Sequence, residues 1–460
     1  MPRPHSVCRT AISNNQQRRL GHNNQGNKMR ESKAKIKADR IIPLAFVLFF
    51  VVALWAQEVN LKQKAIDEFK NKRYPEAISL MKRASSENPN DAEIWYYLGY
   101  FTHYLCADWI PLTECDEKKS DEILQYLDKA ITLDPMYGNA YYFIGAEHGG
   151  RFLRAMQEGD VRKMRMELLN GRNKGGYPDW LIEYARNMLR TCQPNAILFT
   201  GGDADSWPTW YLQFCENYRT DVTVIPMGLL NRSWFVLTLK NGIENILVSA
   251  PISWREEQIF DMHPYKWKTY TIEIPIPEEA FERYNILPQD SLMKWELEPN
   301  LQTSSREFLG TERAVLADII RTNRWKRPIY FSLGCSKTRL ANLDKFMQLC
   351  GLVQRLLPVE AEKYNLSLNP KEIEAVLLQS EHYRYFADVK EHNMPRISHL
   401  LNCYRGVLLT LANYYLESGN RNKAQEIVDK MKIYMPESVF PSSIPLKKAI
   451  ESLDYELSVE

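Results

Sequence analysis

Asp203 and Asp205 stand one residue apart in the run Ala196-Ile-Leu-Phe-Thr-Gly-Gly-Asp-Ala-Asp-Ser-Trp-Pro-Thr-Trp-Tyr211. Two carboxylates at that spacing can hold a divalent cation with help from water and carbonyl oxygens. Nucleotide-sugar transferases use such a pair to hold the metal of the sugar donor. In phosphotransferases of the haloacid dehalogenase type one such aspartate is a nucleophile, but here two glycines separate strand from acid and no partner motifs follow. The bland reading competes with both. In it Asp203 caps a turn, Asp205 or Ser206 caps a helix, and Pro208 lies near that helix's first position. Trp207 and Trp210 offer faces on which a sugar ring stacks, or else they are core at helical spacing. Arg219, with Asp221, tethers the loop before the next strand. Gly202, Asp203, Asp205, Trp207, Trp210 and Arg219 are thus the candidate ligand-binding set, Asp203 and Asp205 the candidate metal ligands, and no residue is assigned as catalytic. A divalent cation is the one cofactor these residues suggest.

The elements around them follow from periodicity. Ala196–Thr200 is a short apolar run ended by glycine, which reads as a buried strand. The acids then lie at its carboxyl end, where open α/β sheets bind ligands, and the glycines permit a sharp turn with φ > 0. Apolar residues at Leu181, Tyr184, Ala185, Met188 and Leu189 predict a helix before the strand, and a second helix is expected from about Thr209 to Asn217. Val222–Ile225, Ile246–Val248, Thr269–Ile274 and Ile329–Phe331 read as strands, and Val315–Arg321 as a helix. Strands alternating with helices predict a mixed or parallel α/β module. Arg327, before Pro328, is expected either at the same end of the sheet as the acids or in a surface ion pair.

Helical repeats flank this module. Ala65, Ala77, Ala84 and Pro89 fall at the spacing of a 34-residue tetratricopeptide unit. Trp95, Leu98, Gly99, Ala130 and Pro135 mark a second, stretched by an insert around Cys106–Cys115, and Tyr141, Ile144 and Gly145 open a third. Leu408, Leu411, Ala412, Tyr415, Gly419, Ala424 and Pro436 keep the register of a fourth, with a capping helix after Pro445. The spacing resembles tetratricopeptide repeats over roughly residues 58–150 and 405–438. Such repeats usually bind a peptide or protein; alternatively so few units only pack on their neighbour.

Charge is uneven. The 460 residues carry a net +2. Residues 1–40 hold ten Lys/Arg and two acids, a net +8, which leaves −6 for the body. A mildly acidic body argues against nucleic acid as partner. The basic head precedes Ile41–Ala56, 16 residues without a charge, the pattern of a signal peptide or membrane anchor. The expected location is exported, periplasmic or inner-membrane-anchored, with the body outside the cytoplasm. Met29 is an alternative start. Cys106 and Cys115 are the close cysteine pair available for a disulfide in such a compartment; free thiols are expected elsewhere.

From about Ala185 to Val359 the chain also resembles the soluble C-terminal part of bacterial protein O-mannosyltransferase-like membrane proteins. The matching stretches are Cys192–Pro208, Trp210-Tyr211, Tyr218–Val222, Leu229–Asn231 with Trp234, Arg327–Phe331 and Gly351–Pro358. Members carry a long multi-span region before this part, and sugar transfer is expected there. This chain has one apolar segment and repeats instead, so the resemblance implies the soluble module and not the transferase activity.

The expected organisation is a basic, disordered tail (1–40), the apolar segment (41–56), helical repeats (58–175), an α/β module (176–360), a helical connection (361–404), and a C-terminal repeat with its cap (405–460). The expected function is a non-catalytic interaction protein that binds a protein partner or glycan, with the membrane a further partner through residues 41–56 if these are uncleaved. The alternative is a metal-dependent sugar-processing enzyme or glycosyltransferase subunit using Asp203 and Asp205.

Overall fold

The computed structural model describes residues 61–108, 117–284, 286 and 291–459. The basic tail, the apolar run 41–56 and Cys115 lie outside them. No helix among the described residues is long and apolar enough to cross a membrane.

Helical hairpins begin the described chain. Residues 61–70 (α1) and Tyr74–Glu87 (α2) form the first, Ala92–Asp108 (α3) and Glu117–Leu133 (α4) the second, Gly138–Glu158 (α5) and Val161–Asn173 (α6) the third. Small residues set the approach of their helices. Ala65, Ala77 and Ala130 are fully buried. A Cβ added at Gly99 would stand 2.7 Å from the Leu127 side chain, and one at Gly145 2.8 Å from the Gly176 carbonyl oxygen.

Asp179–Thr191 (α7) leads into Ile197–Thr200 (β1), Asp203–Glu216 (α8) and Thr223–Pro226 (β2). Ser233–Asn241 (α9) and Glu256–Phe260 (α10) follow. The chain then lays down Tyr265–Lys266 (β3), Tyr270–Pro275 (β4), Glu278–Tyr284 (α11), Leu292–Leu297 (β5), Leu301–Gln302 (β6) and Glu307–Leu309 (β7). Thr311–Asn323 (α12), Ile329–Ser332 (β8), Met347–Leu349 (β9) and Val353–Leu356 (β10) complete the module. Pro370–Leu377 (α13) leads to a last hairpin, Leu401–Glu417 (α14) with Arg421–Tyr434 (α15), and to Ile444–Ser458 (α16).

The main sheet has the order β2-β1-β8-β10-β9. β1 pairs in parallel with β2 and β8, while β10 is antiparallel to both its neighbours, so the sheet is mixed. Every residue of β1, β2 and β8 is buried, which is why these strands read as unbroken apolar runs. Two small antiparallel sheets, β3-β7-β6 and β4-β5, stand apart from it.

Three expectations change. Ile246–Val248 is no strand: Ile243 and Leu247 make an isolated bridge that closes the turn after α9. The alternating segment at Thr269–Ile274 forms a strand that pairs with β5, not with the main sheet. α8 begins at Asp203 instead of Thr209, which puts Pro208 inside the helix. Its lost N–H is tolerated because long-range packing holds the first turn, as shown below.

One core runs from Phe152 to Leu457 and joins the third hairpin, the α/β module and the C-terminal hairpin. Both hairpins therefore pack on the module. Residues 392–396 add a second tie. The Trp180 indole donates to the His392 carbonyl at 2.9 Å, and the Arg396 backbone N–H donates to Asn139 Oδ1 at 3.1 Å. At Gly138, the first residue of α5, a Cβ would fall 1.7 Å from the Asn393 carbonyl oxygen. Backbone cannot yield as a side chain does, so Gly138→Ala should cost roughly 2 kcal/mol or more. Hydrogen exchange should quicken at both 138–143 and 392–397; unchanged exchange in the second segment would refute the contact.

Candidate functional site

β1 ends at Thr200, and the two residues beyond it have unequal tasks. Neither glycine has positive φ, so the turn does not need left-handed backbone. Gly201 is required by proximity: a Cβ there would lie 2.1 Å from the Gly334 carbonyl oxygen. Gly202 is exposed, and a Cβ on it would touch nothing within 4 Å.

Asp205 is buried behind this turn. Its Oδ1 accepts from the Gly202 N–H at 2.9 Å; its Oδ2 accepts from the Gly201 N–H at 3.0 Å and from the Ser332 hydroxyl at the end of β8. The carboxylate thus caps α8 from the third helical position and ties β1 to β8. Burial raises its pKa, against the pull of those hydrogen bonds. Ser206 and Thr209 turn back onto the Gly202 and Asp205 carbonyls. The Arg339 guanidinium donates to the Gly201 carbonyl at 2.7 Å. Cys335 stands beside Asp205, and burial and that carboxylate push its thiol up to about 12.

Asp203, at the first position of α8, is exposed. Many protein atoms stand around it, although its side chain remains open to solvent. That crowding raises its pKa; His103 and Arg396 oppose the rise, as does the Trp207 indole N–H, which is near but aligned with no acceptor. The two acids therefore part company: Asp205 is buried, whereas Asp203 is exposed, with His103 of α3, Tyr142 of α5 and Arg396 close enough to interact with its charge. Among the described residues no group of three or more His, Cys, Asp or Glu is placed to hold a metal ion.

Trp207 and Trp210 are buried. Phe152 of α5 lies 6.3 and 5.1 Å from their ring centroids, and a Cβ at Gly149 would meet the Trp207 ring at 2.5 Å. They dock α8 on the third hairpin, and no sugar can stack there. Arg219 is likewise structural. It pairs with Asp221 and donates to the carbonyls of Leu189, Cys192 and Gln193, closing the end of α7 onto the approach to β2. Arg327 lies at the opposite end of the sheet from Asp203, contrary to one expectation, and makes no ion pair among the described residues, contrary to the other. It donates to the carbonyls of Asn195, Ser249 and Ala196 and to the Thr223 hydroxyl, where β1 and β2 begin. Cys106 is disulfide-bonded, while Cys192, Cys215, Cys335, Cys350 and Cys403 are free.

Near Asp203 stand residues that spacing did not single out. Arg396 lies over the rings of Tyr100, Tyr142 and Phe143 at 5.6, 5.6 and 5.1 Å and donates to the Tyr104 hydroxyl at 2.7 Å. Beside them Glu147 accepts from Ser120 at 2.7 Å and meets His103 Nδ1 at 2.6 Å. His148 pairs with Glu167 at 2.8 Å through Nδ1, while its buried Nε2 has no partner. The signal available was Glu147-His148 itself, a polar pair in the first helix of a repeat, where small or apolar residues pack.

The sequence profile of the family described as TMEM260-associated domain 2 matches residues 181–264 and 260–375. The match starts in α7 and ends in α13, so it takes in the sheet and both acids and leaves out the flanking hairpins. No curated protein matches the chain. Among solved structures, yeast Tom70 aligns at 13% identity over 87% of this chain and 68% of its own, with a TM-score of 0.21. That score is too low for a shared overall architecture, so the description of the repeats rests on the helices of this chain. It is the central module that the profile places beside a known domain family.

Proposed function

We propose that the protein is a non-catalytic interaction protein, exported or anchored through residues 41–56, which holds a segment of a partner protein on its N-terminal hairpins. One observation carries this reading. Trp95, Tyr97, Tyr100, Tyr104, Tyr141 and Tyr142, on two successive hairpins, are each only partly buried, and Arg396 is laid across three of them. Half-exposed Trp and Tyr with Arg are the residues that dominate binding energy at protein interfaces. Asp203 adds an acid at the edge of this surface for a basic group, or for a glycan hydroxyl, on the partner. The resemblance to O-mannosyltransferase-like proteins supports a setting in which glycosylated partners occur. An enzyme using Asp203 and Asp205 as paired metal ligands fits less well, because both Asp205 oxygens already accept hydrogen bonds from the chain.

The test compares residues 57–460 with a Tyr142→Ala/Arg396→Ala variant as bait for the exported proteins of the native host. The expected result is a partner bound by the wild type and roughly tenfold weaker with the variant, about 1.4 kcal/mol, at a temperature where both are shown to be folded. Equal retention by both would sink the proposal. Turnover of a sugar nucleotide, abolished by Asp203→Asn, would instead favour the enzyme.

A further inference from the structure

Far along the chain from the repeat surface, Trp254, Tyr265, Trp267 and Tyr270 line an open cleft of about 340 Å³ floored by α12. The rings stand as two edge-to-face pairs. Trp254 and Tyr265 are 6.0 Å apart at 71°, Trp267 and Tyr270 6.5 Å apart at 82°. Two V-shaped notches of this kind suit compact, rigid apolar rings.

The polar groups narrow the choice further. The Trp267 indole N–H is spent on the Leu297 carbonyl at 2.9 Å. The Trp254 indole N–H and the Tyr270 hydroxyl, by contrast, make no hydrogen bond among the described residues. The Asp318 carboxylate is taken up by the Ser253 N–H at 2.8 Å and the Ser253 hydroxyl. The cleft therefore offers open donors in the Trp254 indole and the Tyr270 hydroxyl and, in Glu273, one unengaged carboxylate. Two acids and one base (Asp318, Glu273 and Arg321) leave it with one net negative charge. Glu273 stands opposite Lys294 across the β4–β5 pair and forms no ion pair with it within 4 Å.

We propose that this cleft binds a proline-rich segment of a partner, in the polyproline II conformation and flanked by a basic residue. Such a segment presents carbonyl acceptors and no N–H at its prolines, and it is already ordered before binding. It matches a site with free donors, aromatic notches and a spare carboxylate. A glycan, whose hydroxyls need acceptors as much as donors, would find one of the two carboxylates already engaged.

The experiment is calorimetric titration of the full chain with three probes: an acetylated Arg-Pro₉ amide, an Arg-led Gly/Ser peptide of equal length, and maltohexaose. The proline probe should bind with a dissociation constant below about 1 mM and at least tenfold more tightly than the other two. Tyr270→Ala should weaken it roughly tenfold, and the fold should persist because that side chain is 63% exposed. Glu273→Lys should shift the preference to a Glu-led proline probe. No saturable binding of the proline probe, equal binding of both peptides, or tighter binding of maltohexaose would each overturn the proposal. None of these outcomes bears on the repeat surface.

Discussion

Replacing Asp205 with alanine should cost about 4 kcal/mol of folding stability, the upper range for a single substitution. The side chain is 2% exposed. Its loss leaves the buried Ser332 hydroxyl and the half-buried Gly201 N–H without this acceptor, at about 1–3 kcal/mol for each buried group, and leaves the Gly202 N–H to solvent. It also unties β1 from β8 and leaves α8 without its cap. Chemical denaturation of the two proteins measures this directly; a loss under about 1 kcal/mol would show that the carboxylate is not the tie described. Asp205→Asn should fall between, since one oxygen remains for three donors.

The same residue has a pH signature. Burial raises its folded pKa above 3.8. Between the two values the folded chain holds a proton that the unfolded chain has lost, so the contribution is complete below the unfolded pKa and is lost as pH rises through the folded one. The wild type should therefore lose stability relative to Asp205→Asn as the pH is raised from that value, apart from a constant offset for the missing acceptor. A difference that grows in the other direction would contradict the burial.

Arg327→Ala should have a comparable effect, again about 4 kcal/mol. One guanidinium serves four acceptors on three segments of chain, at 2.5 to 3.0 Å. Burial lowers its pKa to about 10, which leaves it charged at neutral pH with no carboxylate in contact. Removing it leaves the Asn195, Ala196 and Ser249 carbonyls without this donor and opens the end of the sheet where β1, β2 and β8 start. Arg327→Lys should recover less than half of the loss, because a single ammonium cannot span acceptors that lie in different directions. Full recovery by lysine would mean that charge, not the planar fork, is what the site requires.

Where spacing was the evidence, the residues were informative. β1 and β8 are buried on both faces, so they are apolar up to their last residues, Thr200 and Ser332, whose hydroxyls are hydrogen-bonded. The alanines and glycines of the repeats are small because helices cross at those points, and that requirement recurs at a fixed period. The module between Ala185 and Val359, read from motifs, lies largely within the residues matched by the family profile.

What the acids do was not legible in this way. Both stand beside the same glycines, and local pattern treats them alike. Asp205 is a tie because Ser332, 127 residues on, arrives against it. Asp203 stays exposed, and the cations near it, His103 and Arg396, come from repeats and connection far away in the chain. Arg327 reads as a surface ion pair until Asn195 and Ser249 are brought to it. Chain periodicity reports how each segment meets its nearest layer, since burial alternates with the turn of a helix or the pleat of a strand. It carries no record of which distant segment supplies the partner. The amino-acid sequence thus determined the hairpins, the buried strands and the position of the acidic turn; only the tertiary structure decided which acid is structural, which is open, and which aromatic surfaces are left half uncovered.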